Sequence, residues 1–324
     1  MWQKKHLLGM ADMDAASAEQ FFAHADRYLG FLREGERRSE ELRGKVIVHL
    51  FFEASTRTRA SFEMASKRLG ADVVNLNPNR SSVSKGESIL DTLKNIEAMR
   101  ADAIVVRHSS SGVPHFLAAR SSIPILNAGD GLHEHPTQSL LDAFTIRRKR
   151  GRIKGQTIAI CGDILHSRVA RSNAMLLGTL GAHVRLVGPR TMMPPKAEAL
   201  GPSVTVHHVL DEGIRDADVV MMLRIQNERL GGTMMGSTRE FASTFGLHPG
   251  RLSVAKPDCL VMHPGPVNWG VELSTKIEAL GDRVVILDQV ESGVAVRMAA
   301  LSLLLRPLHA ASISPAGNEG ATAS

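Results

Sequence analysis

Five consecutive residues, Ser55-Thr56-Arg57-Thr58-Arg59, put three hydroxyls and two guanidinium groups into one small volume. They follow directly on an apolar run, 46–52, that reads as a buried strand. A helical pattern comes next, with Phe62, Ala65 and Leu69 on one face and Gly70 as its stop. Ser55 falls at the N-cap position. The first turn of a helix presents backbone N–H groups without intrahelical partners, and the helix dipole adds partial positive charge there. Hydroxyls and guanidiniums at such an end suit an oxyanion, phosphate above all. Ordinary capping would account for Ser55 alone, not for the two Thr and two Arg behind it.

Three further arginines fall where apolar strand-like runs end. Arg107 closes the run 103–106, Arg168 follows 156–161, and Arg224 follows 219–223. Ligands of open α/β sheets sit at the carboxyl ends of strands, so these positions suit ligand residues. A surface arginine at a strand end is an equally plain reading of Arg107 taken alone. Gln226, two residues after Arg224, points the same way on an extended chain, and Arg with Gln at that spacing can grip one carboxylate. His133-Glu134-His135 raises the question of a metal. However, the spacing lies in a loop before Pro136 and differs from a zinc pair on a helical face. His135 and Gln138, at the mouth of a helix, better suit a polar carbonyl. In His263-Pro264-Gly265-Pro266 two prolines around a glycine fix an unusual turn. Its carbonyls are acceptors for which an NH₂ group is a natural partner. Whether a proline peptide bond there is cis stays open.

The elements that must position these groups alternate strand and helix. Strands are expected at 45–51, 71–76, 103–106, 123–126, 156–161, 183–187, 204–207, 219–223, 260–262 and 284–287. Helices are expected within 1–43, at 89–99, at 139–148 and over 292–305. This pattern predicts an α/β fold of two doubly wound domains. Each is a central parallel sheet flanked by helices, with the C-terminal helix packing back on the first domain. The basic, glycine-punctuated stretch 147–155 (RRKRGRIKG) is expected to be a solvated linker between them. The resulting division is 1–150 plus a helix at about 291–308, 151–290, and a small, polar, disordered tail at 311–324. The polar stretch 79–88 (NRSSVSKGES) reads by composition as a solvent loop. The stretch 227–247 reads as a loop able to close over a ligand. The strand–glycine–helix unit at 156–168 lacks GxGxxG, so a nicotinamide cofactor is weakly supported.

The 324 residues suffice for two domains with cores of their own. Lys plus Arg exceeds Asp plus Glu by 39 − 33 = 6, but no basic run is interleaved with aromatics, which make up only 4%. Small anionic substrates explain that excess better than nucleic acid does. A silent nucleotide- or nucleic-acid-binding protein is the alternative from another class. Cys161 and Cys259 lie far apart in apolar runs, as buried thiols would. No run reaches membrane-spanning length and the first residues lack an apolar signal core, so a cytoplasmic protein is expected.

With STRTR after a strand, HPTQ at 135–138 and HPGP at 263–266 in this order, the chain resembles the aspartate/ornithine carbamoyltransferase family from about residue 5 to residue 308. Its HPGP motif suits the aspartate branch. Ornithine enzymes usually carry Cys in HCLP and an SMG-containing loop. The resemblance implies transfer of the carbamoyl group from carbamoyl phosphate to L-aspartate, without cofactor or metal, early in pyrimidine synthesis. It implies that Ser55, Thr56, Arg57 and Thr58 cradle the phosphate, and that Thr58, Arg107 and His135 hold the carbamoyl oxygen. Gln138 and the carbonyls of Pro264 or Gly265, with Pro266 completing the turn, would hold the NH₂. Arg168, Arg224 and Gln226 would bind aspartate. Ser81 and Lys85 would enter from the adjacent subunit of a homotrimer, open to larger assemblies with regulatory or dihydroorotase-type chains. One departure stands out: Trp269 occupies a position where the family commonly has Arg.

Overall fold

The structure is a computed structural model that describes residues 2–35, 38–77, 88–225 and 237–305. It contains two wholly parallel sheets. The first is built from β1 (Val46–Phe51), β2 (Asp72–Leu76), β3 (Ala103–His108) and β4 (Ile125–Asp130), in the order β2-β1-β3-β4. The second uses β5 (Thr157–Cys161), β6 (His183–Val187), β7 (Val204–His207), β8 (Val219–Met222) and β9 (Leu260–Met262), in the order β7-β6-β5-β8-β9. β1, β3, β5 and β8 are near-continuous apolar runs, and these strands and β4 are buried on both faces, as parallel strands between helical layers must be.

The helices are α1 (Ala15–Arg33), α2 (Thr56–Arg68), α3 (Ile89–Ala98), α4 (Val113–Ala118), α5 (Pro136–Arg150), α6 (Arg168–Thr179), α7 (Leu210–Gly213), α8 (Thr238–Phe245), α9 (Pro249–Leu252) and α10 (Ile286–Leu305). One apolar core joins Phe21 and Phe22 of α1, Phe62 of α2, Phe144 of α5, Leu177 of α6 and Val296 and Leu301 of α10. The C-terminal helix therefore packs back onto the first sheet's helices, as expected.

Strand order decides where ligands can sit. In the first sheet the chain leaves β1 for β2 on one side and returns to β3 on the other. In the second, β5 lies between β6 and β8 in the same manner. Each reversal opens a crevice at the strands' carboxyl ends. β1 with β3 and β5 with β8 are the two pairs involved. Their final partners are Phe51 with Arg107 and Cys161 with Met222.

Several expectations need correction. The run 284–287 is no strand: Val284 makes a single parallel bridge to Val261, and α10 starts at Ile286, six residues before the expected 292. A short apolar run fits a buried helix as well as a strand. Residues 1–43 are not helical throughout. Leu7 extends the first sheet, donating to Ile125 O at 3.0 Å and accepting from Asn127 N at 2.9 Å. Of the stretch 227–247, residues 238–245 are a helix, α8, capped by Ser237, and 227–236 lie outside the described residues.

The run 147–155 is not simply a solvated linker either. Its first four residues are the last turn of α5, and each is anchored by a carboxylate. Arg147 pairs with Glu19 at 3.1 Å, Arg148 with Asp26, and Lys149 with Asp288 at 2.7 Å. Arg150 pairs with Asp218 at 3.0 Å and Asp258 at 2.6 Å. Cations at a helix C-terminus also complement its dipole.

Candidate active site

The anion helix α2 begins where expected, at Thr56 behind Ser55. Ser55 occupies the N-cap position at φ −159° and ψ 89°, but its side chain makes no capping hydrogen bond. The expected cap therefore has the right place, but its hydroxyl is not spent on the helix. Arg57, in the first turn, lies against the 263–266 turn from the second sheet. A Cβ on Gly265 would come within 2.5 Å of Arg57 Nη1 and would displace that guanidinium, and Gly265 has φ +69°, a backbone conformation that favours glycine. Partial burial, and then the positive charge of Arg224, hold the Arg57 guanidinium below its ordinary value. Among the described residues no carboxylate pairs with Arg57. Two cations close enough to repel each other are relieved by an anion between them.

Arg107 and Arg168 are brought together by a residue that the motif reading passed over, Glu53. Its Oε2 lies 3.2 Å from Arg107 Nη2 and 3.1 Å from Arg168 Nη2. Arg107 also donates to Ala128 O at 3.1 Å, and Arg168 to Gly131 O at 3.1 Å. Both arginines are buried. Gly129, at φ +112°, makes room for them: a Cβ there would stand 3.0 Å from Arg107 Nη1 and from Arg168 Cζ. The signal for Glu53 was available in the sequence, as a lone acid between a buried strand and an anion-binding helix.

His135 caps α5 and is itself held through its backbone N–H, which donates to Ser172 Oγ at 2.9 Å. Complete burial, then the charges of Arg168, Arg107 and Arg297, push its imidazole well below the usual range. The ring is neutral at physiological pH and can donate one hydrogen bond. Nδ1 is buried without a partner among the described residues. Gln138, one turn along the same helix, donates through Nε2 to Asp142 Oδ1 at 3.0 Å.

The 263–266 turn is held from inside. Gly265 N donates to His263 Nδ1 at 2.8 Å, which leaves the ring hydrogen on Nε2, 3.2 Å from Glu272 Oε1. Glu272 Oε1 also accepts from Asn268 N at 2.7 Å, and His263 N donates to Gln289 Oε1 at 3.0 Å. The Gly265–Pro266 bond is cis. Pro264, Gly265 and Pro266 keep some exposure, while His263 is buried.

Ser81, Lys85 and Gln226 lie outside the described residues. Of the HEH triplet, only His133 joins a group of metal-ligating types, with His115 and Asp130. The Asp130 carboxylate is already spent: it accepts from Asn127 Nδ2, Gly112 N, Glu134 N and the His133 ring. Glu134 anchors the N-terminal segment, accepting from Met10 N at 2.8 Å and Ser172 Oγ at 2.9 Å.

Comparison with known proteins agrees with this geometry. Residues 5–148 match the family model of the aspartate/ornithine carbamoyltransferase carbamoyl-P binding domain, and 154–304 match that of the Asp/Orn binding domain. The chain is 54% identical over 304 residues to the aspartate carbamoyltransferase catalytic subunit of Sorangium cellulosum, covering 94% of each chain. It resembles the aspartate transcarbamoylase of Trypanosoma cruzi in complex with carbamoyl phosphate and aspartate, at TM-score 0.82 and 31% identity, over 92% of this chain and 95% of that one. It also resembles the ornithine carbamoyltransferase of Pyrococcus furiosus, at TM-score 0.83 and 28% identity, over 92% and 96%. The chain belongs to the aspartate/ornithine carbamoyltransferase family.

Proposed function

We propose that this chain is the catalytic chain of an aspartate carbamoyltransferase. It transfers the carbamoyl group of carbamoyl phosphate to the amine of L-aspartate, giving N-carbamoyl-L-aspartate and phosphate in de novo pyrimidine synthesis. The observation that carries the reading is the gathering of cations at one crevice: Arg107 beside Arg168 on a shared carboxylate, and Arg57 of the first sheet's helix against the Gly265 turn of the second. Two small anions held side by side need that arrangement, and little else, to react.

In this reading the first-turn N–H groups of α2, with Ser55, Thr56, Arg57 and Thr58, cradle the phosphate. Thr58, Arg107 and neutral His135 donate to the carbamoyl oxygen and stabilise it as the carbon becomes tetrahedral. Gln138 and the carbonyls of Pro264 or Gly265 accept from the NH₂ group, with Pro266 closing the turn. Arg168 and Arg224, helped by Gln226, hold the two carboxylates of aspartate. The aspartate nitrogen attacks the carbamoyl carbon, the bond to the phosphate oxygen breaks, and departing phosphate takes the amine proton. No protein base is required.

We assign residues 1–150 with the part of α10 from about residue 291 to carbamoyl phosphate and 151–290 to aspartate. Ser81 and Lys85 would be supplied by a neighbouring copy in a homotrimer, which regulatory or dihydroorotase-type chains could join in a larger assembly. The protein would work in the cytoplasm; no described helix is long and apolar enough to cross a membrane. The test is a carbamoylation assay with aspartate and with ornithine. Arg224 predicts turnover of the dicarboxylate, and turnover of ornithine alone would overturn the assignment.

A further inference from the structure

Asp142 stands in the middle of α5, inside the apolar run LLDAF, and is fully buried. Its carboxylate accepts hydrogen bonds from three helices. Gln138 of α5 donates Nε2 to Oδ1 at 3.0 Å, and Gln289 of α10 donates Nε2 to the same oxygen at 2.8 Å. Asn173 of α6 donates Nδ2 to Oδ2 at 2.8 Å. Burial pushes the carboxyl up to about 6, against the pull of the three amides and of Arg297, and all three partners meet it with N–H donors, so both oxygens act as acceptors, as in the ionised form. An ionised carboxylate has no hydrogen to give, and every amide meeting it must turn its NH₂ end inward. For Gln289 a second contact requires the same orientation: its Oε1 accepts from the backbone N–H of His263, which can only donate. For Gln138 the consequence is that its carbonyl is the end offered to a ligand at the mouth of α5.

We propose that Asp142 is a positioning residue for recognition of the carbamoyl amide. It holds the Gln138 carbonyl toward the crevice and, through Gln289, anchors the 263–266 turn, so that both acceptors of the NH₂ group hang from one carboxylate. This rests on the functional reading above. The oxygen and the NH₂ of a carbamoyl group have nearly the same shape, and a site separates them by hydrogen-bond polarity. Donors on Arg107 and His135 meet the oxygen, and acceptors must meet the NH₂. A flipped Gln138 would set donor against donor. Fixing the amide before the ligand arrives removes that arrangement.

The test is calorimetric titration of wild type and Asp142→Asn with two probes: phosphonoacetamide, a stable mimic with both a phosphonate and a carbamoyl-like amide, and inorganic phosphate. Phosphate uses the α2 end but has no NH₂. Asp142→Asn is expected to lose at least about tenfold in phosphonoacetamide affinity, with phosphate changed less than about twofold. The double variant Asp142→Asn with Asn173→Asp keeps one carboxylate in the same buried space. There the amide introduced at position 142 can donate to the carboxylate at position 173 and still accept from both glutamines, so the wild-type preference for phosphonoacetamide should return to within about threefold. It also serves if the single variant does not fold. Equal losses for both probes in a folded single variant would mean a merely structural role and overturn the proposal. So would an unchanged preference in the single variant, or a lost preference in the folded double variant. Wild type that binds phosphate but not phosphonoacetamide would instead sink the functional reading on which the proposal rests.

Discussion

Arg168, the first residue of α6 beside the second sheet, donates to Glu53 Oε2 at 3.1 Å, and Glu53 belongs to the loop that leads into the anion helix of the first. One ion pair thus spans the crevice between the two sheets. The same oxygen holds Arg107, so a single carboxylate aims one arginine from each side.

Replacing Glu53 by Gln removes the charge and keeps the shape. Both buried arginines then lose their common anchor, and removing one partner of a buried pair leaves its counterpart uncompensated. The expected result is a fall of about tenfold to a hundredfold in kcat/KM for aspartate together with a lowered thermal midpoint, the drop moderated because Glu53 keeps partial exposure. Steady-state kinetics beside a melting curve checks this; wild-type saturation by aspartate would remove Glu53 from the site.

In the proposed reading, Arg57→Ala and Arg107→Ala delete groups that face developing negative charge. Losing one such donor typically lowers turnover by about a hundredfold to a thousandfold. Each variant should retain its fold, since Arg57 is exposed and Arg107 sits at a strand end. Near-normal kcat in either would contradict its assignment.

His49, in the middle of β1 behind the anion helix, gives a prediction about pH and stability. Burial pushes its imidazole down to about 4, against an ordinary value of 6.5. The folded state therefore binds fewer protons than the unfolded chain between those values. Stability is complete above pH 6.5 and falls as pH drops toward 4, by on the order of 3 kcal/mol from this group. Asp142 works in the opposite direction, its raised carboxyl adding stability on acidification. That contribution cancels when His49→Gln is compared with wild type. Urea unfolding at pH 7 and pH 4.5 should show the smaller loss in the variant, and parallel losses would count against a buried neutral ring.

Trp269 is 41% exposed at the end of the turn whose earlier residues face Arg57. An arginine there could make ionic contacts that indole cannot. Our hypothesis is that Trp269→Arg lowers the KM for aspartate severalfold without changing kcat. Unchanged aspartate saturation would dismiss it.

Much of the candidate site was legible in the sequence because it lies at the ends of elements. Arg57, Arg107, Arg168 and Arg224 each follow an apolar strand, and the rule that ligands gather at strand carboxyl ends locates them without a structure. Glu53, Asp142 and Arg297 were harder. Each is a charge set in or beside an apolar run, and only tertiary structure shows which opposite charge or amide it meets. The boundary errors have the same origin. The run 284–287 suits two kinds of buried element, and the basic run 147–150 suits open solvent until the carboxylates of α1, α10 and the second sheet's connections are in place around it.

The central claim is that one crevice clamps two anionic metabolites at once. Calorimetric titration with N-(phosphonacetyl)-L-aspartate, which carries a phosphonate and a dicarboxylate in one molecule, tests it most directly. The account predicts saturable binding at one equivalent per chain, far tighter than inorganic phosphate and weakened by both Arg57→Ala and Arg224→Ala. No binding to wild type, or binding that neither substitution weakens, would contradict it.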